Sequence, residues 1–267
     1  MTLETVRRIV EEAEALGTVE WIYFEGGEAF LYYRVLQAGV CLAAGRGFKV
    51  GLVTNAYWAK ADNDAVEWLR PFVGLVEDLS ISSDVYHGNE THRQQTQTAR
   101  RAAEHLNIPV ALISVAQPEE VDVPGASGQL PPGESAVLYR GRAAEKLAPR
   151  TTPKPWEQFT RCPWEALRKP ERVHVDPFGN LHVCQGISMG NLLRQPLTKI
   201  CRDYDPDQHP IIGPLLAGGP AELVRRYELA HQEGYADACH LCYQSRCALR
   251  ERFPDILTPD QMYGVME

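Results

Sequence analysis

No run of apolar residues in this chain of 267 approaches the roughly 18 that a membrane-spanning helix needs. Nor does the start, MTLETVRRIVEEAEALG, carry the basic-then-apolar pattern of a secretory signal; it reads as an amphipathic helix, with Thr2 placed to cap it. Positive charge is short as well. The 27 Lys and Arg stand against 35 Asp and Glu, a formal net charge of −8, which argues against non-specific nucleic-acid binding as the main task. There is no internal repeat and no low-complexity tract, and no Lys-Ser/Thr pair follows the glycines near 218 to make a phosphate loop. The expectation is a cytoplasmic protein without membrane or nucleic-acid partners. Cysteine is scarce over the first half, where Cys41 is the only one before residue 162. Set in an apolar helical stretch, Cys41 reads as a small buried hydrophobe. Disulfides are not expected in that compartment, so clustered cysteines point to metal.

What the chain does have is organised in two parts. Up to about Pro149, four apolar runs, VEWIYF (19–24), KVGLVT (49–54), GLVEDLSIS (74–82) and PVALISV (109–115), alternate with helical stretches. Continuous apolar runs suit strands buried on both faces, and the alternation is the βα pattern of a parallel sheet or barrel. Residues 116–135 read as a loop, and AVLYRGRAAEKLA as a short strand and a helix. From about Thr151 the composition changes, and six of the seven cysteines fall in residues 162–267. The expected domains are therefore 1–150 and 151–267.

The strand ends carry the first functional signal. WIYF stops on Glu25-Gly26-Gly27-Glu28, LVT on Asn55, and LSIS on Ser82-Ser83-Asp84. In βα architectures ligands sit at the C-terminal ends of strands, and glycines there let the backbone approach closely. The acids Glu25 and Glu28 would suit an ammonium group. Taken alone, Glu-Gly-Gly-Glu is an ordinary turn before a helix. Three strands ending in small polar or acidic residues would form a polar cup on one rim.

The second signal is the late cysteines. Cys239-His240-Leu241-Cys242 is a C-x2-C pair, able to offer two thiolates to one metal from a tight turn. RVHVDPFGNLHVCQG reads as a β-hairpin with Gly179 in the turn and Cys184 at the strand end. His174 and His182 read as surface or strand residues. Cys201 reads as a buried structural cysteine, PIIGPLLAGG as a loop leading to a helix near Pro220, and the residues after Pro259 as a short terminal helix.

The order strand–GGE, strand–TN, strand–SxSxD resembles the radical S-adenosylmethionine superfamily over roughly residues 1–150. That resemblance implies an α/β fold, a partial TIM-like (β/α) barrel of parallel strands missing its first strand. It implies that Gly26, Gly27 and Glu28 hold the amino group of S-adenosylmethionine, and that Asn55, Ser82 and Asp84 contact its carboxylate and ribose. The family's Cys-x3-Cys-x2-Cys loop, which holds the radical-initiating [4Fe–4S] cluster, does not occur in the sequence. Two readings follow: a sequence that begins at an internal methionine of a longer frame, or a degenerate relative. The arrangement Cys162–x16–Gly–x4–Cys184, followed by a distant C-x2-C, resembles the auxiliary-cluster module of the same superfamily, the SPASM domain or its shortened twitch form. The Gly-Asn of GISMGN (186–191) fits it too. This adds a small cysteine-containing C-terminal module with a β-hairpin. Its expected ligands are Cys162, Cys184, Cys239 and Cys242, holding an auxiliary [4Fe–4S] cluster or zinc, with Cys247 spare or an alternative ligand. The function implied is radical-based modification of an organic, possibly peptide, substrate, with an electron donor as partner, in a form that carries the missing motif. The alternative is a non-catalytic binding protein stabilised by zinc or a cluster.

Overall fold

In the computed structural model, residues 1–84, 86, 90–118 and 134–265 are described, and contacts divide the chain into two compact units. Among the described residues, one unit comprises 2–116 with 134–136, the other chiefly 137–265. Residues 137–150 thus group with the C-terminal unit. The loop expected over 116–135 lies mostly outside the described residues. No described helix is long and apolar enough to cross a membrane.

The N-terminal unit opens with helix α1 (Leu3–Leu16). The Thr2 side chain accepts from the Thr5 amide at 3.2 Å, as the sequence suggested, and Gly17 closes the helix at φ +74°. Val6, Val10 and Ala13 recur at helical spacing and are the buried face. Strand β1 (Trp21–Phe24), α2 (Tyr33–Gly45), β2 (Lys49–Thr54), α3 (Asp62–Leu69), β3 (Asp78–Ser82), α4 (Glu90–His105), β4 (Val110–Val115) and β5 (Glu134–Ser135) follow. The strand order is β1-β2-β3-β4-β5, and every neighbouring pair is parallel. A sheet that adds strands in sequence order winds one way, whereas doubly wound sheets reverse. The topology is compatible with a partial barrel.

Two strand expectations need correction. β1 is not buried on both faces: Trp21 and Tyr23 are exposed while Ile22 and Phe24 are half-buried. It pairs only with β2 among the described residues, so one side has no neighbour. The short strand near 137–139 is instead Glu134–Ser135. Cys41 is exposed too, because α2 buries Leu36, Gly39, Val40 and Ala43, a stripe that Cys41 lies outside. The core is built on Leu52, Leu79 and Ile81 from the sheet and Phe30, Leu69 and Phe72 above it. Phe30 stacks on Trp58 with ring centroids 4.7 Å apart.

The C-terminal unit contains α5 (Arg142–Lys146), β6 (Lys154–Pro155), β7 (His174–Val175), β8 (Asn180–Cys184), β9 (Ile187–Asn191), α6 (Leu197–Asp203), α7 (Ile212–Tyr227), β10 (Gly234–Tyr235) and α8 (Ala238–Leu249). β7, β8 and β9 form an antiparallel sheet, and β6 pairs with β10. The expected hairpin is β7–β8. Its turn is fastened by Asp176, which accepts from the Phe178 and Asn180 amides at 2.9 Å each, with Gly179 at φ +83°. Asn191 reaches back to the Phe178 carbonyl at 2.9 Å, joining β9 to that turn. His182 is a strand residue but not a surface one: it is 1% exposed and meets Asp176 at 3.1 Å. The loop expected before Pro220 is helical from Ile212; the helix kinks at Gly218 and Gly219 and resumes at Pro220. Cys201 is exposed rather than buried, since α6 buries Leu197 and Ile200. The core of this unit includes Val183, Ile187, Ile211, Ile212, Leu223 and Leu257.

Candidate functional site

Because β1, β2 and β3 are parallel, their C-terminal ends share one rim. Phe24 pairs with Leu52 and Thr54 with Ile81, which sets Asn55 beside the level of Ser82. Gly26 takes φ +131°, which L-residues avoid, and space is open around Gly27. Glu28 turns inward. One carboxylate oxygen accepts from the Phe30 amide at 3.0 Å and the Thr54 hydroxyl at 2.9 Å; the other accepts from the Asn55 amide at 2.7 Å. The acid thus caps the short 3-10 turn Ala29–Tyr32 and ties the end of β1 to the end of β2.

Thr54, noted at the strand end but not among the candidate site residues, is the hub. Its hydroxyl also accepts from the Ala56 amide and the Trp58 indole, each at 3.0 Å. These bonds, with Asn55 accepting from the Tyr57 amide at 3.0 Å, hold Ala56 at φ +59°, a left-handed conformation costly for a residue with a side chain. The available signal was a hydroxyl ending an apolar strand opposite an acid. Ser82 offers its carbonyl to Thr96 at 3.2 Å, and Asp84, 6% exposed, accepts from the Tyr86 amide at 3.0 Å. Glu28 and Asn55 are in direct contact, and Ser82 and Asp84 follow at the end of the next strand.

The cysteines meet elsewhere, within the C-terminal unit. Cys162, Cys184, Cys239 and Cys242 all line one cavity, together with Arg140 and Arg246. Cys184 ends β8. Cys239 and Cys242 lie in the first two turns of α8 rather than in a tight turn, three residues apart and so on one helix face. Asp237 caps that helix, accepting from the His240 amide at 2.7 Å. Cys247 does not line the cavity.

Burial pushes the Cys239 thiol far up, and the charges of Asp237 and the other three cysteines push the same way. Burial likewise raises Cys242 to about 12, against the lowering pull of Arg246, and raises Cys162. Such thiols hold their protons until a metal displaces them. Among the described residues, no three Cys, His, Asp or Glu side chains already converge as ligands of one ion. The chemistry of the donor set, four thiols lining one cavity, fits a thiolate-bound metal centre. Neither arginine was singled out in the sequence, since nothing local marks a basic residue that will lie near sulfur.

No known family profile matches the chain. Over 88 residues it is 31% identical to the Bacillus subtilis (strain 168) protein named "Putative peptide biosynthesis protein YydG". That stretch is 33% of this chain and 28% of the other protein's length.

Proposed function

We propose that this chain is a radical S-adenosylmethionine-type protein that holds S-adenosylmethionine on the β1–β3 rim and a [4Fe–4S] cluster in the four-cysteine cavity. In a form that carries the radical-initiating motif, it modifies an organic substrate, a peptide in the reading favoured by its relative's name. One observation carries this: cysteines from three separate places in the sequence, chosen by their resemblance to the auxiliary-cluster module, line a single cavity. The partial likeness to a protein named for peptide biosynthesis agrees in direction. When bound, an auxiliary cluster supplies an electron-transfer or substrate-anchoring group.

The chain's own residues do the rest. Gly26 and Gly27 open the rim to a ligand backbone. Glu28, which accepts from three donors, keeps lone pairs for an ammonium group. Asp84 and Ser82 offer polar atoms at the neighbouring strand end. Cys162, Cys184, Cys239 and Cys242 would hold the cluster.

Zinc in the same cavity is the second reading, because four thiolates suit zinc as well as a cluster. Protein purified without oxygen decides between them. About four iron and four sulfide per chain, lost in the double variant Cys239→Ala/Cys242→Ala, is the expected result. About one zinc per chain supports the second reading. A folded protein that takes up neither defeats both.

A further inference from the structure

The four-cysteine cavity also contains fixed positive charge. Arg246 is 3% exposed and follows Cys242 by four residues on α8, on the same helix face. Its Nη1 donates to the Gln185 carbonyl at 2.9 Å and to the Tyr263 hydroxyl at 3.4 Å, while its buried Nε has no hydrogen-bond partner. The guanidinium lies 5.9 Å and 5.7 Å from the ring centroids of Tyr243 and Tyr263. The chain is shaped to seat it: a Cβ at Gly186 would come within 2.8 Å of the Tyr263 hydroxyl and 3.2 Å of the Arg246 Nη1. Arg140 lines the same cavity, its Nη1 3.6 Å from the Cys184 sulfur.

A buried cation needs an anion close by. Among the described residues, the one carboxylate residue lining the cavity, Glu165, is paired with Arg172 at 3.3 Å. No carboxylate among the described residues pairs with Arg246. The remaining source of negative charge is the sulfurs. Four thiolates around zinc(II), or around an oxidised four-iron core, carry a net double negative charge. Two guanidinium groups match it.

We infer that Arg246, assisted by Arg140, is the built-in counter-charge of the metal centre: a positioning residue that holds the four thiolates in their metal-bound form and raises the centre's tendency to accept an electron. The inference rests on the metal reading proposed above. Each added electron makes the centre more negative, so a fixed cation beside the sulfurs stabilises the reduced form and opposes ligand reprotonation and metal loss.

The test uses the full chain, loaded with iron and sulfide without oxygen, as wild type, Arg246→Met, Arg246→Lys and Arg140→Met. Redox titration followed by electron paramagnetic resonance gives the potential, competition with a chelator gives the rate of metal release, and circular dichroism confirms the fold. Arg246→Met should shift the one-electron equilibrium at least tenfold towards the oxidised form, 59 mV more negative, and release metal at least tenfold faster. Arg246→Lys should recover most of both, and Arg140→Met should shift both in the same direction by less. A loaded Arg246→Met protein with wild-type potential and release rate overturns the inference while leaving the centre intact. Should that variant not fold, Arg140→Met decides, and unchanged values there overturn it. With a zinc centre the release rates alone carry the comparison. If the wild type itself takes up no metal, the metal reading fails and the inference with it.

Discussion

Glu28 shows how a residue chosen for one role can carry two. The sequence offered it as an acceptor for a cofactor's ammonium group. The structure uses the same carboxylate to receive the Phe30 amide, the Thr54 hydroxyl and the Asn55 amide. Replacing it with alanine leaves those donors without an acceptor in a half-buried site. Glu28→Ala should cost about 2 kcal/mol, seen as a lower unfolding midpoint. Thr54→Val, which removes the hub hydroxyl, should destabilise by a similar amount. Neither change to the melting curve would mean the network is ornamental. On the proposed reading, wild type should bind S-adenosylmethionine weakly in calorimetry, with a millimolar dissociation constant, about −4 kcal/mol, because the sequence given holds no Cys-x3-Cys-x2-Cys to anchor it. The chain as given should release no 5′-deoxyadenosine with dithionite. Cleavage would show that the missing motif does not matter, and tight binding indifferent to Glu28→Ala would place the site elsewhere.

At the same scale, Asp176 supports a pH prediction. Burial acts to raise its pKa, but hydrogen bonds from His182 and Asn180 outweigh that and hold it below its ordinary 3.8. A depressed carboxylate contributes stability that is complete above its unfolded pKa and is lost as pH falls through the folded one. Unfolding free energy should therefore decline below about pH 4. Asp176→Asn should remove part of this decline and cost about 2 kcal/mol at neutral pH, because an amide presents hydrogens to donors already there. A variant with an unchanged acid profile would show that other carboxylates govern it.

Among the elements, those with a clear periodic signal were legible and those set by tertiary placement were not. β2 spans Lys49–Thr54, as its apolar run indicated, and the β7–β8 hairpin follows from Asp-Pro-Phe-Gly-Asn. The exposure of β1 was not legible, because edge position depends on what lies beside a strand rather than on its own residues. Helix α7 was half-hidden: Gly218, Gly219 and Pro220 look like a loop, yet they mark a kink between two helical stretches. The glycine is needed there for close approach. At Gly219, φ is +67°, and a Cβ would lie 2.2 Å from the Arg161 amide nitrogen and the Thr160 carbonyl carbon. Gly219→Ala should therefore cost about 3 kcal/mol or more, with Gly218→Ala milder because its nearest neighbour is the Glu222 side chain at 3.0 Å. Equal melting temperatures for the two variants would contradict the close packing of this kink on the 159–161 segment, which precedes Cys162.

For the whole molecule, the two units rest on separate hydrophobic cores, one built from residues 6–108 and the other from residues 144–263. The candidate ligand cysteines belong to the second unit alone. That these four would line one cavity was partly legible, since spacing and resemblance chose them; the arginines beside them became visible only once α8 and the β8–β9 turn were in place. Metal binding to a folded site stabilises that fold by mass action, about 2.7 kcal/mol when free metal is 100 times its dissociation constant. The gain belongs to the elements that carry the thiols. Removing metal with a chelator should therefore lower amide hydrogen-exchange protection in Asn180–Cys184 and Ala238–Leu249. Protection in Lys49–Thr54 and Asp78–Ser82 should stay unchanged, because those strands are held by Leu52, Leu79 and Ile81 rather than by sulfur. Equal loss of protection in both sets would show one cooperative unit, and no loss in either would show that the cavity holds no stabilising metal.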